Sequence, residues 1–212
     1  MPVLANEIKF SILILSIPSR MDSLTQLMNN IQKQIDEIEH PSSVEILVLL
    51  DNRSKTISEK RNDLLRSARG NYIAYLDDDD KISNEYVSQL INAIDNHNGV
   101  DCISFNQFCY IDDRSMNVSF GIGNPHGQLW ITPNGTLGDI KRPPYHMCLW
   151  RRELAKSEEF APLIGPNGQS YGEDLDWILR LSNKAQTEHH INNRLHIYVY
   201  NSKTTTSLVS QK

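Results

Sequence analysis

Tyr72-Ile-Ala-Tyr-Leu-Asp-Asp-Asp-Asp80 is the stretch on which the fold turns. Its first five residues are aromatic and aliphatic, with Gly70 just ahead, which is the pattern of a strand buried on both faces. The strand then runs directly into four carboxylates. Moving outward, Phe10-Ser-Ile-Leu-Ile-Leu-Ser-Ile17, stopped by Pro18, and Val44-Glu-Ile-Leu-Val-Leu-Leu50 have the same character. Between those two runs, Leu24, Leu27, Met28, Ile31, Ile35 and Ile38 recur at helical spacing, so a helix is expected over 22–39 with Asp22 as its N-cap. A more polar helix is expected over 57–68, ended by Gly70, and a third, capped by Asn84, contains Val87, Leu90, Ile91 and Ile94.

Strand and helix therefore alternate through the first hundred residues. That alternation predicts an α/β fold with a mostly parallel central sheet flanked by helices. In such sheets ligands sit beyond the carboxyl ends of the strands. Three polar clusters fall at those ends: Pro18-Ser19-Arg20, Asp51-Asn52-Arg53 and Asp77 to Asp80. The second half is less regular. A strand is expected over 102–110, a short helix over 173–181 and a late strand over 196–200. Residues 112–146, rich in Gly, Pro and Asn, read as long loops around short strands, a kind of segment that is usually functional. No internal repeat or linker divides the chain.

The composition excludes several classes. A net charge of -5 lacks the basic face that a nucleic-acid backbone requires, so no nucleic-acid partner is expected. Cys102, Cys109 and Cys148 are odd in number and have no C-x-x-C spacing, which predicts reduced, buried thiols. The longest apolar run is too short to span a bilayer, and no signal-like segment is read at the N-terminus. A cytoplasmic protein is the expectation, and the sequons at Asn52, Asn117 and Asn134 are discounted accordingly.

Four consecutive aspartates repel one another and raise one another's pKa unless a positive charge sits among them. Mg²⁺ or Mn²⁺ meets that need, because either takes hard carboxylate oxygens while bridging phosphates. A solvated acidic loop is the plainer reading of such a run. An EF-hand loop is excluded: counted from Asp77, Ile82 stands where glycine is needed and Ser88 where the bidentate Glu belongs. The position of the run at a strand's end favours the metal.

Lys60-Arg61-Asn62, then Ala68-x-Gly70-x-Tyr72-Ile73-x-Tyr75-Leu76-Asp77-x-Asp79-Asp80, then Tyr171-Gly-Glu-Asp174-x-x-Trp177, resembles family 2 glycosyltransferases of the GT-A fold, with a D-x-D signature. The resemblance covers roughly residues 8–181. It implies a single GT-A domain over 1–212, with a nucleotide-binding half near 8–110 and an acceptor-binding half near 111–212, and it is compatible with further domains of a longer protein. The implied function is metal-dependent, inverting transfer of a sugar from a UDP-sugar donor to a hydroxyl of a glycan or other acceptor, with Mn²⁺ or Mg²⁺ as cofactor.

Residue by residue, the resemblance implies that Asp51 reads uracil and that Lys60, or Arg61 beside it, reaches the base or the phosphates. Pro18, Ser19 and Arg20 line the nucleotide; Arg20 pairing with an aspartate of the cluster is the alternative. Asp77 and Asp78 face the ribose and the sugar, and Asp79 binds the metal, with the register uncertain by one residue because the four letters are identical. Asp174 is the base that takes the acceptor's proton, and Glu173 orients the acceptor or the helix. Trp177 either stacks on an acceptor sugar or packs in the core, and the region around Gly121, Trp130, His146 and Trp150 forms the acceptor side. Many relatives carry a late histidine near the metal; here Lys203 stands in that segment, and His196, His189 and His190 are left outside the site. Two other readings keep the residues. A nucleotidyltransferase or nucleotide-sugar hydrolase uses the same metal and nucleotide, but the first strand here lacks the glycine-rich loop that nucleotidyl transfer usually carries. An inactive glycan-binding domain would be free to lose D-x-D or Asp174, and this chain has both.

Overall fold

The computed structural model describes residues 7–112, 114–126, 140–163 and 172–200. Expectations on Trp130, Asn134, Tyr171 and Lys203 lie outside the described residues. In chain order the first half runs β1 (Phe10–Ser16), α1 (Met21–Asp36), β2 (Val44–Leu50), α2 (Ile57–Ser67), β3 (Tyr72–Asp77), β4 (Lys81–Ile82) and α3 (Tyr86–Asn96). The second half adds β5 (Cys102–Ile111), β6 (Arg114–Phe120), β7 (Ile140–Arg142), β8 (Leu149–Arg151), α4 (Arg152–Ala155), α5 (Glu173–Lys184) and β9 (Glu188–Tyr200).

β1 is the axis of the sheet. It pairs in parallel with β2 on one side and β3 on the other, Ser16 opposite Leu50 and Leu15 opposite Asp77. This register brings the ends of three strands to one edge, which is why the three polar clusters converge. Phe10, Ile12, Leu13 and Ile14 are fully buried, as are Ile73 to Leu76, so continuous apolar runs form the sheet's centre. Right-handed crossovers in the order β2-β1-β3 place α1 and α2 on opposite faces. Close packing of β1 on β3 depends on Gly70: a Cβ there would lie 2.6 Å from the Ser11 nitrogen and 2.7 Å from the Phe10 carbonyl carbon.

Beyond β3 the order continues β8-β5-β6-β7, and β9 pairs with β5 and β4. β8 runs antiparallel to both β3 and β5, and β6 antiparallel to β5, while β9 joins β5 and β7 joins β6 in parallel. The expected α/β sheet with a parallel heart is thus present. The late strand is much longer than 196–200, and the short strands expected within 112–146 are β6 and β7.

Several local expectations are corrected. Arg20, not Asp22, occupies the N-cap of α1; Asp22 sits in the first turn, where its charge favours the helix dipole. Glu85, not Asn84, precedes α3, and it makes no side-chain cap. α2 opens on a capping box in which Thr56 accepts from the Glu59 N–H and Glu59 accepts from the Thr56 N–H. Trp177 and Trp150 are core residues, both fully buried. Trp177 stacks on Phe160 at 4.5 Å, meets Tyr75 and Trp150 edge-on, and donates its indole N–H to the Glu158 carbonyl at 2.9 Å. Neither ring is free for an acceptor sugar. The three cysteines are buried free thiols, as expected.

Candidate active site

The tetra-aspartate stretch turns sharply as β3 ends. Asp80 N–H donates to the Asp77 carbonyl at 3.0 Å, and Asp77 N–H donates back to Asp80 Oδ2 at 2.8 Å. The turn alternates the side chains: Asp77 and Asp79 are 48% and 59% exposed, Asp78 and Asp80 only 2% and 12%. Asp77 and Asp79 thus face outward and Asp78 and Asp80 inward.

Asp78 was expected to face the ribose or sugar and is turned inward instead. Ser16 Oγ donates to its Oδ2 at 2.7 Å, and Arg20 Nη1 lies 3.0 Å from its Oδ1. Arg20 also pairs with Asp79, so the alternative reading of Arg20 is the one seen. Pro18 and Ser19 lie exposed at the same rim in a 3-10 turn. Burial raises the pKa of both Asp78 and Asp79, and neighbouring carboxylates add to this, while Arg20 works against it. Asp80 is held below the ordinary carboxylate value although burial pushes it up, chiefly because His196 Nε2 faces its Oδ1 at 3.1 Å. His196 is fixed from both sides, opposite Ile82 of β4 and Gln107 of β5, and Gln107 Nε2 donates to its Nδ1 at 2.8 Å. It belongs to the site, although a lone histidine gave no such signal in the sequence.

At the end of β2, Asp51 accepts backbone N–H groups from Ser54 and Lys55, each at 3.2 Å, and the Ser54 hydroxyl. The Ser54 hydroxyl above all, with those N–H groups and Lys60, lowers its pKa to about 2. Lys60 Nζ stands 3.6 Å from Asp51 Oδ2, so the two residues expected at the base are neighbours. Arg53 in the same turn has a positive φ of 62°, unusual for a residue with a side chain.

Arg61 points the other way, into the protein. Its guanidinium is 5.4 Å from the centres of both the Tyr75 and Phe160 rings, with Nη2 3.6 Å from Asp77 Oδ1 and Nε 3.8 Å from Glu173 Oε1. It joins the end of β3 to the start of α5. There Gly172, at φ 68°, turns the chain into the helix, and Glu173 and Asp174 fall in the first turn. Asp174 Oδ1 accepts the Leu175 N–H at 2.8 Å, and its Oδ2 faces His146 Nδ1 at 3.5 Å. Burial would raise the Asp174 pKa, but His146 and Arg61 outweigh it and hold the group well below the carboxylate range. It is ionised at neutral pH.

Asp77, Asp174, His146, His196 and Arg142 open onto one cavity of about 400 Å³, floored by side chains such as Met116 and Phe120 from β6. Among the described residues, no three carboxylates, imidazoles or thiols converge to hold a metal alone. The donor set still fits Mg²⁺ or Mn²⁺: two half-exposed carboxylates at a rim suit an ion that takes its other oxygens from phosphates and water.

Arg20, Asp51, Lys60, Asp77 and Asp79 lie at or beside the ends of β1, β2 and β3, and Glu173 and Asp174 open α5, which Arg61 links to Asp77. Arg61, His146 and His196 join them.

The fold has solved counterparts. A fragment of S. aureus TarS, residues 1–349, matches with a TM-score of 0.60 at 16% identity, over 90% of this chain and 60% of that one. The same fragment in complex with UDP-GlcNAc gives 0.61 at 16% identity over 96% and 61%, and in complex with UDP 0.58 at 16% over 92% and 61%. This chain thus spans about three fifths of that fragment. No curated protein sequence matches it. The family model described as glycosyl transferase family 2 matches residues 19–156, from the rim turn at Ser19 through α4. With that match over most of its length and this architecture, the chain belongs to glycosyl transferase family 2.

Proposed function

We propose that this chain transfers a sugar from a UDP-sugar to a hydroxyl of a glycan or other acceptor, with Mn²⁺ or Mg²⁺ held at Asp79. One observation carries the reading: buried Arg61 lies between Asp77 on the metal side and Glu173 beside the candidate base, and both sides share one cavity. UDP as the carrier is supported by the TarS fragment solved with UDP-GlcNAc and with UDP.

In this reading Asp51 accepts a hydrogen bond from the uracil, with Lys60 beside it fixing its charge. Arg20 lies at the rim over Asp78 and Asp79, where a diphosphate would come within its reach. Asp78 acts on the donor only through Arg20, whose position it holds. Asp77 is exposed toward the cavity and meets the ribose or the sugar. When bound, the cation offsets charge on the departing diphosphate as a Lewis acid. Asp174, ionised on the cavity wall, takes the proton of the attacking hydroxyl as that oxygen bonds to the anomeric carbon and the bond to the diphosphate oxygen breaks. Attack from the face opposite the leaving group inverts the anomeric centre.

The experiment is a panel of nucleotide-sugars assayed for release of the free nucleotide, with Mn²⁺ and with EDTA. At least one UDP-sugar is expected to turn over, with EDTA removing the activity. Turnover of nucleoside triphosphates alone, or of UDP-sugars at an unchanged rate in EDTA, contradicts the reading.

A further inference from the structure

His146 is fixed in place by its backbone and has a free ring edge. It lies in the turn between β7 and β8, and its carbonyl accepts the Tyr75 N–H at 2.9 Å, two residues before Asp77. The next contacts tighten the same turn: the Tyr145 carbonyl accepts the Cys148 N–H at 3.0 Å and the Trp150 indole N–H at 3.2 Å. The side chain is only 7% exposed, yet Nδ1 makes no hydrogen bond and faces Asp174 Oδ2 at 3.5 Å, just beyond hydrogen-bond reach. A buried polar atom left unpartnered beside the candidate base calls for an explanation.

We infer that His146 is a positioning and proton-accepting partner of Asp174, receiving the proton that Asp174 takes from the acceptor. The inference rests on the transferase reading of the same cavity. As the acceptor oxygen bonds to the anomeric carbon, the electron pair of the breaking bond leaves on the diphosphate and the hydroxyl proton moves to Asp174 Oδ2. The new carboxyl O–H then faces an imidazole nitrogen with an open lone pair. The proton passes to Nδ1, the pair tightens into carboxylate and imidazolium, and the proton leaves to water from Nε2.

The surroundings select this direction. Asp174 also senses the Arg61 guanidinium from α2, which favours its ionised form. Asp77 and Asp80 from the turn after β3, His196 of β9 and Arg142 of β7 line the same cavity as the ring, and Asp80 also senses His146. Among the described residues, His146 Nδ1 is the unpartnered buried ring nitrogen that faces Asp174.

The test uses the full chain with Mn²⁺ and a UDP-sugar that it turns over, read by UDP release across pH. His146→Asn keeps a polar group toward Asp174 but cannot take a proton. It is expected to lower kcat by about 10- to 100-fold with the donor KM unchanged, and to move the acid side of the kcat profile. His146→Ala is expected to be equally slow and to recover several-fold on adding imidazole, which a packing role does not produce. Unchanged kcat and profile in His146→Asn, or a slow His146→Ala that imidazole does not rescue, overturns the inference. Wild-type protein that turns over no UDP-sugar removes the transferase reading and this one with it, whereas an active wild type with an equally active His146→Asn removes only the relay.

Discussion

Asp174→Asn is expected to bind UDP as the wild type does and to lose transfer by about 10²- to 10⁴-fold, the range for a missing general base. Asn preserves the shape, and its carbonyl oxygen can still accept the Leu175 N–H that Asp174 accepts at 2.8 Å. What it lacks is a site for the acceptor's proton. The nucleotide contacts proposed above are at other strand ends, at Asp51, Lys60 and Arg20, so UDP affinity has no reason to change. Unchanged transfer would remove Asp174 from the mechanism. Stability gives a second readout. The folded-state pKa of Asp174 is depressed, so its contribution is present above the unfolded carboxylate value near 3.8 and fades as pH falls through the lower folded value. The variant therefore melts below the wild type at neutral pH, and the gap narrows toward strong acid.

Arg61→Met is expected to damage both folding and catalysis. Met fills much of the space between Tyr75 and Phe160 but leaves Glu173, itself 5% exposed, without its cation. Breaking a buried charge pair from one side typically costs about 3–5 kcal/mol. For a chain of this size that lowers the melting temperature by roughly 6–20 °C. Adding Glu173→Gln to Arg61→Met should recover part of the stability, because the stranded charge is gone, while transfer stays lost. A single variant as stable as wild type would show that Arg61 does not tie β3 to α5.

The parallel heart of the fold was legible because β1 and β3 are buried on both faces and appear as unbroken apolar runs, and because α1 is strongly amphipathic. β6 and β7 were legible only as short strands somewhere within 112–146, since neither carries such a run and both fall in a Gly-, Pro- and Asn-rich region. β9 was read only over its last residues; its beginning, Glu188-His-His-Ile-Asn-Asn-Arg, is almost wholly polar and becomes a strand by pairing with β5. The carboxylates of the site were legible because they stand at strand ends and at a Gly-led helix start. The partners were not. Arg61 looks like any helix cation until α5 is packed above it, and His146 gains meaning only when its turn is pinned to Tyr75 beside Asp174. Asp78 shows the converse: its identity suggested a ligand contact, and only the alternation of the turn reveals that it supports Arg20.

The central claim is that the rim of this sheet binds a nucleoside diphosphate through a cation at Asp79. Its most direct test is the melting temperature of the protein with UDP, measured with Mn²⁺ and with EDTA, for wild type and Asp79→Asn. Binding to the folded state alone at about 100 times Kd adds about 2.7 kcal/mol, a readily visible shift. The shift should appear for wild type with Mn²⁺ and vanish in EDTA and in Asp79→Asn. An equal UDP shift in EDTA, or one untouched by Asp79→Asn, would contradict it.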